Sequence, residues 1–321
     1  MDFYQKILPI RTIEQAKAIR NQSWQKCELI PTWVDQEEVD LDCFYTHPDI
    51  AHECSESLYS TMQKDGVDLT NYHFIEPSAG TGVFYNLMPE NRRTGIDILP
   101  TRPEFIGEDY LTWSPPQNQN HYAVMGNPPF GYRAWLALAF LNQSAIFADY
   151  IGFILPMAFQ SNGKGSPKYR VRGAELILSK QLPSNAFVDI NSNTVKLNTL
   201  WQIWRRGVNR MPAVKTCNDW IDLFTVDIRK ERLCGQDRME EADYFLQRTF
   251  YNEPPELVRD FAEVRYGCGY GLILKKERNK VEYLLNNTNW NHYSNLAVHN
   301  CRHISMYHIR QAIVDGGFVD A

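Results

Sequence analysis

No apolar run in this 321-residue chain approaches the ~18 residues needed to span a bilayer, so no transmembrane helix is expected. The opening stretch, MDFYQKILPIRTIEQAKAIR, carries charges throughout and has no small-residue cleavage site, which argues against a secretory signal. Cysteine is sparse. Seven residues, an odd number with no CxxC pair, form no disulfide framework and fit a reducing cytoplasm. Internal repeats and low-complexity tracts are missing. The chain's glycine turn is not followed by lysine, so it is no phosphate-gripping P-loop. The segment HNCRH, with His299, Cys301 and His303, has no common zinc spacing, so ordinary histidines are expected there and no metal.

What is present is an ordinary globular composition, 44% hydrophobic and 22% charged, long enough for one large domain or two smaller ones. The net charge of −5 is unevenly spread: −10 over residues 1–120, +8 over 151–215 and −3 over 216–321. Phosphate binding answers to the local field, so the basic stretch points to nucleic acid even in an acidic chain.

Short apolar strands, YHFIEP, RTGIDIL, HYAVMGN and DYIGFILP, alternate with helical patterns at 12–20, from Pro48, and over YRAWLALAFLNQSA. AFVDIN and NTLWQIWRR read as two further strands. Such alternation predicts an α/β fold with a mainly parallel sheet, in which ligands bind outside the carboxyl ends of the strands. A composition shift near Gly207 suggests three regions: an N-terminal extension (1–42), a catalytic domain (43–207) and a C-terminal region (208–321). Two helices are expected in the last region, over MEEADYFLQRTF and PPELVRDFAEV.

IEPSAGTGVF follows a strand and precedes a predicted helix, and Gly80 and Gly82 allow a tight turn that approaches a ligand closely. Asp97 closes the next strand, where a carboxylate can accept both hydroxyls of a ribose. Asp109 follows in GEDYLTW, placed to accept from an adenine amino group while Tyr110 or a neighbour packs on the ring. Alone, the glycine turn is a common loop feature. In order with Asp97, Asp109 and VMGNPPFG, it is far less ordinary.

On these residues the chain resembles the S-adenosylmethionine-dependent DNA adenine-N6 methyltransferases of class I fold, in the gamma order of motifs, over about residues 44–206. FYTHPDIA matches the family's first motif, with Phe44, Tyr45 and Thr46 toward the methionine part of the cofactor. Glu76, Pro77, Ser78, Ala79, Gly80 and Gly82 match the cofactor loop. Asp97 and Ile98 match the ribose site, and Asp109 and Tyr110 the adenine contacts. Asn127, Pro128, Pro129 and Phe130 match the catalytic motif, a four-residue pattern expected by chance in well under ~1% of chains this long. The resemblance implies a Rossmann-like, mainly parallel seven-stranded sheet flanked by helices. It also implies S-adenosylmethionine as cofactor and S-adenosylhomocysteine as product, with no metal. The implied substrate is DNA (or RNA), in a cytoplasmic protein that is bacterial, phage or plasmid-encoded. Whether a restriction partner exists, and whether the chain is a monomer or a homodimer, stays open.

The chemistry explains the motif. The exocyclic amine of adenine is a poor nucleophile because its lone pair is delocalised into the ring. Two acceptors on its N–H bonds can draw the nitrogen toward tetrahedral geometry. The Asn127 side-chain carbonyl and the Pro128 backbone carbonyl can serve, the latter held by two prolines that fix φ. Asn accepts without adding a buried charge. Phe130 offers a face to an extruded base. The basic loop with Lys164, Lys168, Arg170 and Arg172 is expected on the ligand edge as a phosphate site, with Arg205 and Arg206 as further candidates. Phe187 is the candidate for a second aromatic on the flipped base. Residues 208–321 are the expected target-recognition region. RNA adenine, a protein glutamine amide, and nucleic-acid binding without catalysis are the competing functions.

Overall fold

The structure is a computed structural model that describes residues 9–25, 27–35, 44–117, 121–161, 165–189, 193–210, 215–230, 232–297 and 300–320. Lys164 and His299 lie outside them. The chain forms two compact units, Met1–Gln160 with Pro167–Arg210, and Ser161–Ser166 with Met211–Ala321.

In the first unit, helix α1 (Ile13–Trp24) begins at a capping box. Thr12 Oγ1 accepts from the Gln15 amide, and Gln15 Oε1 accepts from the Thr12 amide. Strand β1 (Tyr45–Thr46) leads into α2 (Pro48–Lys64), with proline at its first turn where no N–H is needed. Strands β2 (Tyr72–Pro77), β3 (Arg93–Ile96), β4 (His121–Gly126) and β5 (Tyr150–Pro156) follow, with α3 (Trp135–Phe147) between the last two. Then come β6 (Ala174–Gln181), β7 (Phe187–Val188), β8 (Thr194–Val195) and β9 (Thr199–Arg206).

The central sheet has six strands in the order β3-β2-β4-β5-β9-β6. β3, β2, β4 and β5 run parallel, and β9 is antiparallel to both its neighbours. The expected α/β fold with a mainly parallel sheet is therefore present. The expected seventh strand is reduced to one parallel bridge, Ile96 with Ile106, outside β3. β6 was not expected: its residues are mostly exposed, because this edge strand buries little beyond Ala174. β7 does not join the central sheet but pairs with β1 and β8. β2 and β4 are neighbours, but the connection after β2 runs to β3 on one side and the connection after β4 runs to β5 on the other. That is the switch point where an open α/β sheet offers a crevice at its carboxyl edge.

The second unit holds β10 (Ile221–Asp227), β11 (Tyr244–Gln247), β12 (Thr249–Phe250), β13 (Cys268–Leu274), α4 (Arg278–Asn286), β14 (Asn295–Leu296), β15 (Arg302–His303) and α5 (Met306–Asp315). Two antiparallel sheets form, β10-β13-β11 and β12-β15-β14. The two helices expected here are not found. Residues 244–247 are a strand, and 254–264 are irregular but for an antiparallel bridge from Val258 to Phe245 and one 3-10 turn, Phe261–Glu263. Tyr244 and Leu246 pack into one apolar cluster and Phe245 into another. A strand buried on both faces reads as a continuous apolar run, which periodicity cannot separate from a helix.

Candidate active site

The glycine turn follows β2 at the switch point. Ser78, Gly80 and Gly82 all take positive φ, 55°, 51° and 80°. A Cβ on Gly82 would stand 2.9 Å from the Phe105 ring and 3.0 Å from the Arg102 guanidinium, so glycine is required there. No α-helix follows the turn, contrary to expectation; two 3-10 turns, Tyr85–Leu87 and Glu90–Arg92, do. What replaces helical anchoring is the Glu76 carboxylate. It accepts from the amides of Phe84 at 3.3 Å and Tyr85 at 2.6 Å, and it is almost fully buried. Burial drives its pKa well above the ordinary carboxylate range. Pro77, the last residue of β2, holds the register against Ile96.

The loop after β3 clamps the same turn. Asp97 Oδ2 accepts from the Gly80 amide at 2.7 Å and Oδ1 from the Leu99 amide at 2.8 Å. Burial raises the Asp97 pKa to about 6, against the opposing pull of those two amides. Thr101 Oγ1 donates to the Gly80 carbonyl, and Arg102 to the Thr81 carbonyl. Neither Thr101 nor Arg102 was singled out from sequence, since single polar residues in a loop carry no periodic signal.

Asp109 is buried beneath α1. Ser23 Oγ donates to its Oδ2, and the Leu111 amide to its Oδ1 at 3.0 Å. Burial, opposed by the Ser23 bond, raises its pKa. Tyr110 is deep in the core, its ring against Phe140 at 5.2 Å and its hydroxyl bonded to Ser144 Oγ at 2.7 Å.

Asn127 leaves the end of β4 beside the glycine turn. Its Nδ2 donates to the Phe44 carbonyl at 3.1 Å. Its Oδ1 is buried and has no hydrogen-bond partner among the described residues. Pro128 is buried, and Pro129 and Phe130 are half-buried. The chain then turns through Gly131 (φ 65°, ψ 166°), Arg133 (φ 55°) and Ala134 (φ 61°) before α3 begins. A Cβ on Gly131 would lie 2.8 Å from Leu136 Cβ.

These loops enclose a cavity of about 560 Å³. Phe44, Tyr45 and Thr46 line it, as do Glu76, Ser78, Ala79 and Gly80. So do Asp97 with Ile98, Asp109 with Tyr110, and the whole Asn127–Phe130 run. Pro77 and Gly82 stand behind the wall and shape it. Ile13, Arg20 and Trp24 of α1 line it too, although the first 42 residues read as an extension. Trp24 is buried edge-on against Trp135, with centroids 5.3 Å apart, and this contact seats α1 on the start of α3, just beyond the Asn127–Phe130 loop.

Three expected groups lie elsewhere. Phe187 is fully buried and pairs with Thr46 between β1 and β7, so it presents no face to a base. Arg205 and Arg206 sit at the amino edge of the parallel strands, Arg205 opposite Tyr150. There they are engaged by Asp65, Glu175 and Asp149. The basic loop does not stay on the ligand edge. By Gly173–Ala174 it has crossed to the amino edge, where Gly173 accepts from the Gly207 amide at 3.0 Å and Ala174 pairs with Arg206. Arg170 and Arg172 are exposed along that path, while Lys168 is half-buried and donates to the Gln160 carbonyl at 3.3 Å. Burial lowers the Lys168 pKa.

Among the described residues, no cluster of three or more His, Cys, Asp or Glu side chains is arranged to hold a metal. No described helix is long and apolar enough to cross a membrane.

No family model matches the chain, and no curated protein matches it in sequence. Several solved structures are similar to it. A candidate RNA methyltransferase of Pyrococcus horikoshii is 17% identical, with 61% of this chain and 97% of that one covered, at a TM-score of 0.38. The magnesium protoporphyrin IX methyltransferase of Synechocystis, with S-adenosylmethionine bound, is 12% identical over 61% and 95% of the two chains, at 0.34. The type IIG restriction endonuclease BpuSI is 14% identical over 58% and 26%, at 0.35.

Proposed function

We propose that this chain transfers a methyl group from S-adenosylmethionine to the exocyclic N6 amine of an adenine in DNA, with the base turned out of the helix. The observation that carries this reading is Asn127. Its amide nitrogen is held by the Phe44 carbonyl, and its carbonyl oxygen is buried with no hydrogen-bond partner among the described residues. A buried acceptor left without a donor costs about 1–3 kcal/mol, so its natural partner is an N–H that the substrate brings.

The residues fit the cofactor. The cavity falls within the ~300–1,000 Å³ typical of small-molecule sites. Asp97 spends one lone pair of each oxygen on a backbone amide, which leaves acceptor capacity on both for the two ribose hydroxyls. Ser78, Ala79 and Gly80 would cradle the methionine end together with Phe44–Thr46, and Asp109 the adenine end. When bound, S-adenosylmethionine supplies an electrophilic methyl group on a sulfonium. The chain's own part is to hold and polarise the acceptor. Asn127 Oδ1 takes one N–H of the amine, and the Pro128 carbonyl takes the other. Phe130 packs on the base. The nitrogen's lone pair is then free to attack the methyl carbon, and the carbon–sulfur electron pair would leave with S-adenosylhomocysteine. One N–H proton would pass to solvent, and the positive charge that develops on nitrogen meets two fixed dipoles. Residues 208–321 would carry target recognition.

Tritiated cofactor offered with DNA, RNA and protein acceptors tests the substrate class. The expected result is label in DNA. Label confined to RNA or protein overturns the substrate, and no transfer to any acceptor overturns the activity.

A further inference from the structure

Beside the catalytic loop stand two large rings that nothing in the reaction uses. Tyr132 lies two residues beyond Phe130 and is 67% exposed, and Trp33 is 56% exposed. Their centroids are 6.4 Å apart and their planes meet at 81°, so the pair forms an open corner. The Arg133 guanidinium lies over the Tyr132 ring at 5.0 Å.

Chance does not readily hold them there. Tyr132 is presented by a turn in which Arg133 and Ala134 adopt left-handed backbone, at φ 55° and 61°. Side chains rarely take that conformation, and it concentrates at functional sites. Trp33 is reached from α1 through a short run of turns, Cys27 to Trp24, Ile30 to Cys27 and Val34 to Pro31. That run is tied down where Cys27 Sγ donates to the Leu111 carbonyl at 3.8 Å. Tyr132 thus follows, after Gly131, on the Asn127–Phe130 run that walls the cavity, and Trp33 lies nine residues beyond Trp24, which also lines it. Exposed aromatics joined to an arginine are the composition of a binding surface, not of a solvated one.

Resting on the reading that the substrate is a nucleic acid, we propose that Trp33 and Tyr132, with Arg133, bind the nucleotide next to the extruded adenine. Its base stacks in the aromatic corner and its phosphate meets the guanidinium. Base–aromatic stacking tolerates any sequence, because every base has a π-face. The corner therefore holds the opened strand in place and leaves sequence choice to other residues. It also supplies the aromatic surface that buried Phe187 does not.

The test is binding of fluorescein-labelled DNA by the full chain in the presence of S-adenosylhomocysteine, as single strand and as duplex, with cofactor affinity measured separately by calorimetry. Trp33→Ala and Tyr132→Ala should each weaken single-strand binding about tenfold or more. Tyr132→Phe should restore it, and cofactor affinity should stay within about twofold, since neither ring lines the cavity. Arg133→Gln should lower the salt slope by about one. Unchanged DNA affinity in both alanine variants overturns the corner and leaves the methyltransferase reading intact. If the wild-type chain binds cofactor but no DNA at any salt, the nucleic-acid reading falls, and the corner falls with it.

Discussion

The side-chain nitrogen of Asn127 donates to the backbone carbonyl of Phe44 across 3.1 Å, and this one bond decides which way the carboxamide faces. With the nitrogen turned to Phe44, the oxygen is left as the side chain's acceptor for a substrate N–H. A carboxylate at this position would set an oxygen against the Phe44 carbonyl. Asn127→Ala should leave cofactor affinity within about threefold and cut kcat by about 10²–10³, the usual loss for one preorganised transition-state partner. Asn127→Asp should be no better than alanine. Calorimetry and steady-state kinetics on the same preparations check both.

Cofactor binding should depend on pH through Asp97. Desolvation pushes its carboxyl up to about 6 from the ordinary 3.8, although the residue itself is half-buried. Folding therefore favours its protonated form, and this group's share of stability falls as pH rises through that window. Ribose binding runs the opposite way, since a carboxylate accepts from hydroxyls and from the Gly80 amide better than a carboxylic acid does. Affinity measured from pH 8 to pH 5 should drop below about pH 6, and the drop should vanish in Asp97→Asn along with most of the affinity.

Gly131 carries the turn that follows the Asn127–Phe130 run. At φ 65° and ψ 166° it occupies a region nearly reserved for glycine, and a Cβ would overlap Leu136. Gly131→Ala should cost about 1–3 kcal/mol in urea denaturation. It should also lower kcat, because the strain is relieved by moving the neighbouring Phe130.

Ser23 should matter although it lies outside the motif-bearing stretch. Its hydroxyl donates to the buried carboxylate of Asp109. Ser23→Ala should cost about 1–3 kcal/mol of stability. It should also weaken cofactor binding by loosening α1 from the cavity wall, whereas Ser23→Thr should recover both.

Much of this was legible in the sequence for identifiable reasons. β2, β4 and β5 are nearly continuous apolar runs stopped by Pro or Gly, and a parallel sheet buried on both faces demands that pattern. The Gly80–Asp97 relation was readable because a strand and its loop fix the spacing between them. β6 was hidden because an exposed edge strand needs no alternation. Phe187 misled because an aromatic after a strand looks the same whether it faces a ligand or the core. The role of α1 was hidden because its contacts to Asp109 and Trp135 lie 86 and 111 residues away along the chain.

The measurement closest to the central claim is the identity of the atom that is methylated. A duplex oligonucleotide library treated with the protein and S-adenosylmethionine, digested to nucleosides and resolved by mass spectrometry, should yield N6-methyladenine as the sole new product, and Asn127→Ala should form it about 10²–10³ times more slowly. A product methylated on cytosine carbon 5, or N6-methyladenine formed at an undiminished rate by Asn127→Ala, would contradict the account.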